Sequence, residues 1–596
     1  MESFSFPNNF RIFKLPIIIN FMSVNSENSN PGNTAANTFD AIVIGSGISG
    51  GWAAKELCEQ GMKTLVLERG RDVKHLKDYP TATTPPWGFP YRGRVNLKQY
   101  KENPLITKAA GYGDDCDHFF VKDADHPYVQ EKPFDWIRGY QVGGKSLTWG
   151  RATQRWSEFE FTAPERFGYG IGWPIGYKDV APWYSHVEKF IGICGNKDGL
   201  EAMPDGEFQT PFEMNVPLQH IKQTLKDNYT DRHLVHARWA HLTDPKQVHL
   251  DQGRGKCQAR NMCMRGCPFG GYFSSNSSTL PWAEKTGNLT IRPHSVVHSV
   301  IYDEKLGKAT GVRIIDANTK ETIDFHAKVI FLNASALNTN LILLNSKSKR
   351  FPNGLGNDSG VLGKYIAFHN YRASVSGTLD GYLDKYYYGR NPTDLILVNF
   401  RNLHKRDTNF YGGYTTFMNA YRDQHPNDTD AGQVGGQYKD DLCEPGGWHV
   451  FAYLQGETVP VESNHVRLSE TEKDQWGIPL LVTSVEYHPN DELMIEDFLT
   501  QTAEMLEKAG VKNISKYNNK QAPGLDIHEM GGVRMGKDPK TSMLNANNQL
   551  HACKNVFVTD GACMTSTGNQ SPSILYMALT ARAATFAANE IKQGNL

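Results

Sequence analysis

Asp40-Ala-Ile-Val-Ile-Gly45-Ser-Gly47-Ile-Ser-Gly50, followed at 64–70 by Thr-Leu-Val-Leu-Glu68-Arg-Gly70, is the stretch that decides how this chain folds. Its spacing predicts an apolar strand over Ala41–Ile44, a glycine turn, a helix, and a second strand, Leu65–Leu67, ending at Glu68. In Gly45-x-Gly47-x-x-Gly50 the first glycine permits the tight turn, and the second lets the backbone approach a pyrophosphate. The third lets helix and strand pack closely, which leaves the phosphates on the helix N-terminus. Glu68 stands where an acid holds the adenosine ribose hydroxyls. The glycine pattern alone is weak. With a strand before it, a helix after it and an acid closing the second strand, it points to a bound dinucleotide, FAD or NAD.

Outward from this motif, 596 residues exceed what one core organises, so at least two structural regions are expected. The 63 basic and 64 acidic residues nearly cancel, and no long block of one sign occurs. That leaves no electrostatic reason to expect nucleic acid or an acidic membrane surface as partner. Nine cysteines in this length do not suggest a disulfide scaffold. No run approaches the roughly 20 apolar residues of a membrane span. Lys14-Leu-Pro-Ile-Ile-Ile-Asn-Phe-Met22 resembles a signal-peptide core, but no small-residue cleavage site follows promptly and no twin-arginine pair precedes it. The favoured reading makes Met22 rather than Met1 the initiator. Either way, residues 1–38 are expected to be a disordered leader, 23–38 being rich in Asn, Ser, Gly and Pro.

Further along lies a glycine-rich loop, Gly139-Tyr-Gln-Val-Gly-Gly-Lys-Ser-Leu-Thr-Trp-Gly150. Residues 290–301 and 310–316 alternate as paired strands do, and Lys328–Ala334 is an apolar strand leading into a helical run, Leu337–Leu344. Between about 371 and 488 the stretches Leu395–Phe400, Trp448–Leu454, Val466–Leu468 and Leu480–Val485 suggest a large antiparallel sheet. Residues 490–509 read as an amphipathic helix. The last seventy residues return to α/β character, with strand Val556–Val558 and a helix from Pro572. The expected fold class is therefore α/β, or α+β taken whole, with a Rossmann-like nucleotide-binding domain that is discontinuous. It is assigned 39–165, 255–368 and 526–596, including a cysteine segment at 257–268. The substrate domain, built on the antiparallel sheet, takes 166–254 and 369–525.

These landmarks together resemble the glucose–methanol–choline (GMC) family of flavoprotein oxidoreductases over about residues 39–590. The resemblance is carried by the 45–68 fingerprint, Val142-Gly-Gly-Lys-Ser146, the strand–helix unit at 328–344, and Gly354-Leu-Gly-Asn-x-Ser-Gly-Val-Leu-Gly363 with His369. It continues through His528-Glu-Met-Gly-Gly-x-Arg-Met-Gly536 and Val558-Thr-Asp560-Gly561…Pro572…Ala578-Leu579-x-Ala-Arg582. It implies FAD rather than NAD, held by Gly45, Gly47, Gly50, Glu68, Gly143, Gly144, Ser146, Val297, Asp560 and Gly561. Trp149-Gly-Arg151 and Met577-Ala-Leu-Thr-Ala-Arg582 look most like glucoside 3-dehydrogenases and other sugar dehydrogenases. Where pyranose-oxidase-like members carry a histidine bonded to the flavin, this chain has Thr148, so FAD is expected to be non-covalent.

Oxidising a secondary alcohol removes a hydroxyl proton and a carbon-bound hydride; the flavin accepts the hydride, and imidazole suits the proton. His528 is the candidate base. Family members pair it with a His or Asn just before the proline of the final helix; that residue here is Ser571, with Asn569 two positions earlier as the alternative. His369 and Arg151 are candidates to line the substrate pocket, whose aromatics include Tyr386–Tyr388, Trp448 and Tyr453.

Cys257-x5-Cys263-x3-Cys267-Pro268 admits three readings: buried thiols grouped by chance, a zinc site, or iron–sulfur ligands. Zinc sites usually pair two short Cys spacings, and no second pair occurs nearby. Three cysteines fit a cluster with three protein-held irons, and sugar dehydrogenases of this resemblance carry a [3Fe–4S] centre beside the flavin. Such a centre favours a dehydrogenase delivering electrons to a cytochrome or quinone, with a small subunit as partner, over an oxidase making hydrogen peroxide. A non-redox lyase or binding subunit of the same fold is the third reading. Export with a partner subunit would make the chain periplasmic; otherwise it is expected in the cytoplasm.

Overall fold

The strand Thr38–Ile44 is buried from Ala41 onward, and Thr64–Leu67 beside it is buried throughout. They run parallel, with Ala41 opposite Thr64 and Ile44 opposite Leu67. A strand covered on both faces needs a continuous apolar run, which is what these segments provide. This computed structural model describes residues 37–93, 95–385, 394–423, 434–441, 443 and 446–596. The expected leader, save its last two residues, and Tyr386–Tyr388 lie outside the described residues. Phe39–Leu596 groups as one compact unit.

The parallel pair lies within an eight-stranded sheet ordered Gln549–Leu550, Cys553–Val558, Thr322–Leu332, Thr38–Ile44, Thr64–Leu67, Leu289–Arg292. Ser295–Asp303 and Lys308–Asp316 attach to it as an antiparallel pair through Thr322–Leu332. The sheet thus draws strands from the start, the middle and the end of the chain. Helix Ile48–Glu59 packs on it together with the last helix, Ser573–Gln593, which presents buried Ala583, Ala584, Ala587 and Ala588. Small side chains on that face let helix and sheet approach closely.

A seven-stranded antiparallel sheet is ordered Lys512–Asn518, Ala373–Leu379, Trp448–Glu457, Tyr414–Arg422, Leu395–Leu397, Leu234–His236, with His369–Asn370 added beside Trp448–Glu457. The amphipathic helix, Pro489–Lys508, opens with proline in its first turn and a cap in which the His488 side chain accepts from the Asn490 N–H. Its buried Met494, Ile495, Phe498 and Leu506 cover this sheet.

The stretches at 466–468 and 480–485 do not join the large sheet. They form the hairpin His465–Lys473 and Pro479–Ser484 of a separate three-stranded sheet, in which Pro479–Ser484 pairs in parallel with Val129–Gln130. Alternation reports which face of a strand is buried but not which strand lies next to it.

Candidate active site

A continuous cavity of about 550 Å³ runs from the Gly45–Ile48 turn to His528. At its nucleotide end the three fingerprint glycines have three different surroundings. A Cβ on Gly45 (φ +94°) would lie 2.3 Å from the Asn333 carbonyl oxygen, and one on Gly50 would lie 1.9 Å from the Gly45 carbonyl oxygen. A Cβ on Gly47 would meet nothing within 4 Å. Gly45 and Gly50 are glycines because protein backbone presses on them, whereas Gly47 faces the cavity at the head of helix Ile48–Glu59. The first-turn amides of that helix have no partner within it, and they suit an anionic pyrophosphate.

Glu68 lines the same end. Its Oε2 accepts from Ser46 N–H (3.2 Å) and Ser46 Oγ (2.5 Å), and its Oε1 accepts from Gly70 N–H (3.0 Å). Burial raises its pKa against these bonds. Oε1, with one donor, keeps room for another, as ribose binding requires. Ser46 Oγ also accepts from Gly143 N–H (2.9 Å), which ties the second glycine loop to the first. Gly143 (φ +92°) does not reach the cavity; Gly144, Ser146, Thr148, Val297, Asp560 and Gly561 do. Asp560, pushed up to about 6 by burial, accepts from Thr339 Oγ1 (2.6 Å) and Ala562 N–H (3.0 Å). This set fits FAD: an open glycine beside free amides, an acid with spare acceptor capacity, and no side chain filling the space between.

At the other end, His528 is partly exposed, and it lines the cavity. It follows Ile527, whose φ of +59° is uncommon for a β-branched residue and marks a strained turn at the site. His528 Nδ1 lies 2.8 Å from Nδ1 of His369, which is buried. His369 does not line the cavity; it stands behind His528. Its backbone N–H donates to Asp526 Oδ2 at 2.7 Å. Burial pushes His369 down to about 4 and Asp526 up to about 7. Partial burial, with His369 and Lys145 nearby, lowers His528 well below the ordinary imidazole range, which favours the neutral form that can accept a proton.

Ser571 and Asn569 are placed differently. Ser571 lines the cavity, and its Oγ bonds Gln455 Oε1 at 3.3 Å. Asn569 is buried off the cavity: its Oδ1 accepts from Thr415 Oγ1 (2.7 Å), and its Nδ2 donates to Glu160 Oε1 (3.0 Å). Tyr371, Asp394, Phe417, Tyr453 and Gln455 complete the wall on the antiparallel sheet. Tyr453 stacks on Phe417 with centroids 5.1 Å apart, and Trp448 is core rather than wall. Sequence reasoning missed Asp394 and Gln455. Neither stands in a motif, and Asp394 becomes distinctive only because burial pushes its carboxyl up to about 7.

Cys257, Cys263 and Cys267 occupy one loop, each partly exposed. Their sulfurs do not converge to the spacing that a single ion needs. Among the described residues, that convergence occurs only at His369, Asp526 and His528, within 4.8 Å. The two imidazoles bond each other there through their Nδ1 atoms. The cysteine loop nevertheless reaches the cavity through Met264. Arg151 also lines the cavity and donates to the carbonyls of Leu147 (3.2 Å) and Cys263 (3.1 Å).

Family models for GMC oxidoreductases match residues 40–369 and 460–580. The chain belongs to the GMC oxidoreductase family. It is an oxidoreductase acting on CH–OH groups, and GMC oxidoreductases bind FAD. Relatives include a 2-methyl-1,2-propanediol dehydrogenase of Mycolicibacterium austroafricanum, 27% identical over 92% of this chain and 95% of its own. A fructose dehydrogenase large subunit of Gluconobacter japonicus is 24% identical over 93% of this chain and 98% of its own. The crystal structure of pyridoxine 4-oxidase from Mesorbium loti shares the fold, with a TM-score of 0.54 and 13% identity over 93% of this chain and 99% of that one. No helix among the described residues is long and apolar enough to cross a membrane.

Proposed function

We propose that this GMC enzyme is a dehydrogenase that oxidises a secondary hydroxyl of a sugar or glycoside, at C3, with His528 as the base. The observation that carries this reading is His528 lining the same cavity as the glycine fingerprint. The cavity wall mixes aromatic faces (Tyr371, Phe417, Tyr453) with hydrogen-bonding groups (Asp394, Gln455, Ser571). Sugars present apolar ring faces and several hydroxyls, and such a wall suits both. Bound FAD supplies a two-electron hydride acceptor. Gly47, the helix amides and Glu68 would hold its nucleotide half, and Thr148 offers no group for covalent attachment. Ser571 orients the substrate oxygen, and His528 takes the hydroxyl proton.

The exit proposed for the electrons is a [3Fe–4S] cluster on Cys257, Cys263 and Cys267. The three thiols share one loop and are each partly exposed, and three thiolates are what a cluster with three protein-held irons needs. Arg254 is buried beside Cys267 and, among the described residues, bonds the carbonyls of Gly270 (2.9 Å) and Ile191 (2.7 Å) and the Gln252 side chain (3.2 Å). Arg151 lies beside Cys263. These cations would offset thiolate charge. A small subunit and a cytochrome or quinone acceptor complete the reading, supported by a relative that is itself named a large subunit.

Anaerobic mixing with a panel of glycosides tests it. Methyl glucosides should bleach the flavin and yield 3-keto products. His528→Ala should keep flavin while lowering the reduction rate by roughly 10²–10⁴-fold. Bleaching by simple diols but not by sugars would overturn the substrate class. Oxygen reoxidising the flavin as fast as any artificial acceptor would make the enzyme an oxidase.

A further inference from the structure

The facing rings of His528 and His369 fix where the proton on each can sit. Their Nδ1 atoms are 2.8 Å apart, with ring planes at 86°. Two imidazole nitrogens at that distance share one hydrogen, so one donates and the other accepts. The far side of His369 decides which. Its Nε2 lies 3.2 Å from the Thr567 carbonyl oxygen and 3.1 Å from that of Gly568. Carbonyl oxygens only accept, so His369 Nε2 bears hydrogen. Burial keeps His369 neutral, so its Nδ1 is a bare lone pair. That lone pair accepts from His528 Nδ1–H. The free lone pair of neutral His528 is then on Nε2.

We infer that His369 is a positioning residue that locks His528 in the Nδ1–H tautomer, so that Nε2 is the basic atom available to substrate. This rests on the reading of His528 as the base. When that base acts, the substrate O–H bond breaks, its electron pair stays on oxygen and an Nε2–H bond forms. The resulting imidazolium keeps its Nδ1–H donated to His369. In the opposite tautomer Nε2 would already carry hydrogen and the reaction could not begin. His369 is itself anchored, by its backbone bond to Asp526 Oδ2 and by the pairing of His369 with Glu457 at the sheet edge. The charged groups around the pair are Asp526, Lys145 and Glu529, the last two bonded at 3.1 Å. None of these three bonds His528 Nδ1, whose partner is His369 Nδ1, so the tautomer is set by His369.

The test has two arms. The 15N spectrum of the wild-type holoenzyme labelled at histidine, with His528 assigned by its loss in His528→Ala, reads the tautomer directly. A pyrrole-type Nδ1 and a pyridine-type Nε2 are expected at neutral pH, and the reverse would overturn the proposal. In the second arm, methyl glucoside reduces the flavin anaerobically. His369→Leu offers no acceptor to Nδ1–H and should slow the limiting rate about 10- to 100-fold, less than loss of the base itself. His369→Asn, whose amide oxygen falls where Nδ1 sits, should restore most of the rate and the wild-type pH profile. A purely packing role for His369 would predict no such rescue. Wild-type rates in His369→Leu, alongside collapse in His528→Ala, would refute the lock and leave the base intact. Undiminished rates in His528→Ala would refute the base reading, while the spectrum still judges the tautomer. Should His369→Leu fail to fold, the wild-type spectrum and His369→Asn decide the question.

Discussion

Gly47→Ala separates cofactor binding from folding. A Cβ at Gly47 meets no protein atom within 4 Å, and the backbone there, with φ −68°, accepts any residue. The flavin-free protein should therefore melt within about 1 kcal/mol of wild type, the usual difference between glycine and alanine at a helix N-cap. The methyl group enters the space where the turn must approach the pyrophosphate. Losing one charge-assisted hydrogen bond from the helix amides costs about 1.5–3 kcal/mol, or roughly 10- to 100-fold in FAD affinity. The neighbouring glycines provide the contrast. Gly45→Ala puts a Cβ 2.3 Å from the Asn333 carbonyl oxygen in a left-handed backbone, and Gly50→Ala puts one 1.9 Å from the Gly45 carbonyl oxygen. Overpacking of this kind costs about 1–3 kcal/mol or more, and at Gly45 the backbone adds about 1–2 kcal/mol. Both variants should lower the melting temperature even without flavin. Calorimetry on stripped protein and FAD titration followed by flavin fluorescence measure the two effects separately. Wild-type FAD affinity in Gly47→Ala, or an apo melt as low as that of Gly45→Ala, would refute the assignment of Gly47 to the pyrophosphate.

Ser571→Ala should slow turnover without lowering the melting temperature. Asn569→Ala should do the reverse, because Thr415 Oγ1 loses its acceptor and Glu160 one of its donors at about 1–3 kcal/mol; the opposite pattern would move the orienting role to Asn569. Because His528 is held well below its ordinary 6.5, it stays neutral as pH falls through that value. The limiting rate of flavin reduction should thus be flat from neutral pH past 6.5 and decline only further into acid. A decline centred at or above 6.5 would contradict this. Serine at Cys257, Cys263 or Cys267 should remove iron and acid-labile sulfide while sugar still bleaches the flavin; stoichiometric zinc, or no iron after anaerobic purification, would exclude the cluster. Acid precipitation should release the flavin, since Thr148 cannot bond it, and flavin left in the pellet would show otherwise.

The nucleotide-binding half was legible in the sequence because its chemistry is local. Gly45, Gly47, Gly50 and Glu68 lie within 24 residues, and each is demanded by backbone geometry or by a ligand contact that one strand–turn–helix–strand unit creates. The ordered motifs singled out His528 as the candidate base; of the expected pairing of 290–301 with 310–316, Ser295–Asp303 pairs with Lys308–Asp316, while Leu289–Arg292 pairs with Thr64–Leu67. What tertiary structure decided depends on partners distant in the chain. Val466–Leu468 and Leu480–Val485 carry a strand pattern, but the parallel neighbour of the second is Val129–Gln130, more than 300 residues earlier. Ser571 and Asn569 are two residues apart and chemically similar. Only the packing of Glu160 and Thr415 against one, and the cavity against the other, tells them apart. Asp394 is an ordinary acid until the sheet buries it. The pairing of His369 with His528 spans 159 residues, and the tautomer it implies depends on two carbonyls from a third segment, Thr567 and Gly568. Sequence determines which groups a chain can offer. Which nitrogen bears a proton is set by what each group faces, and that exists only after the sheets have brought the segments together.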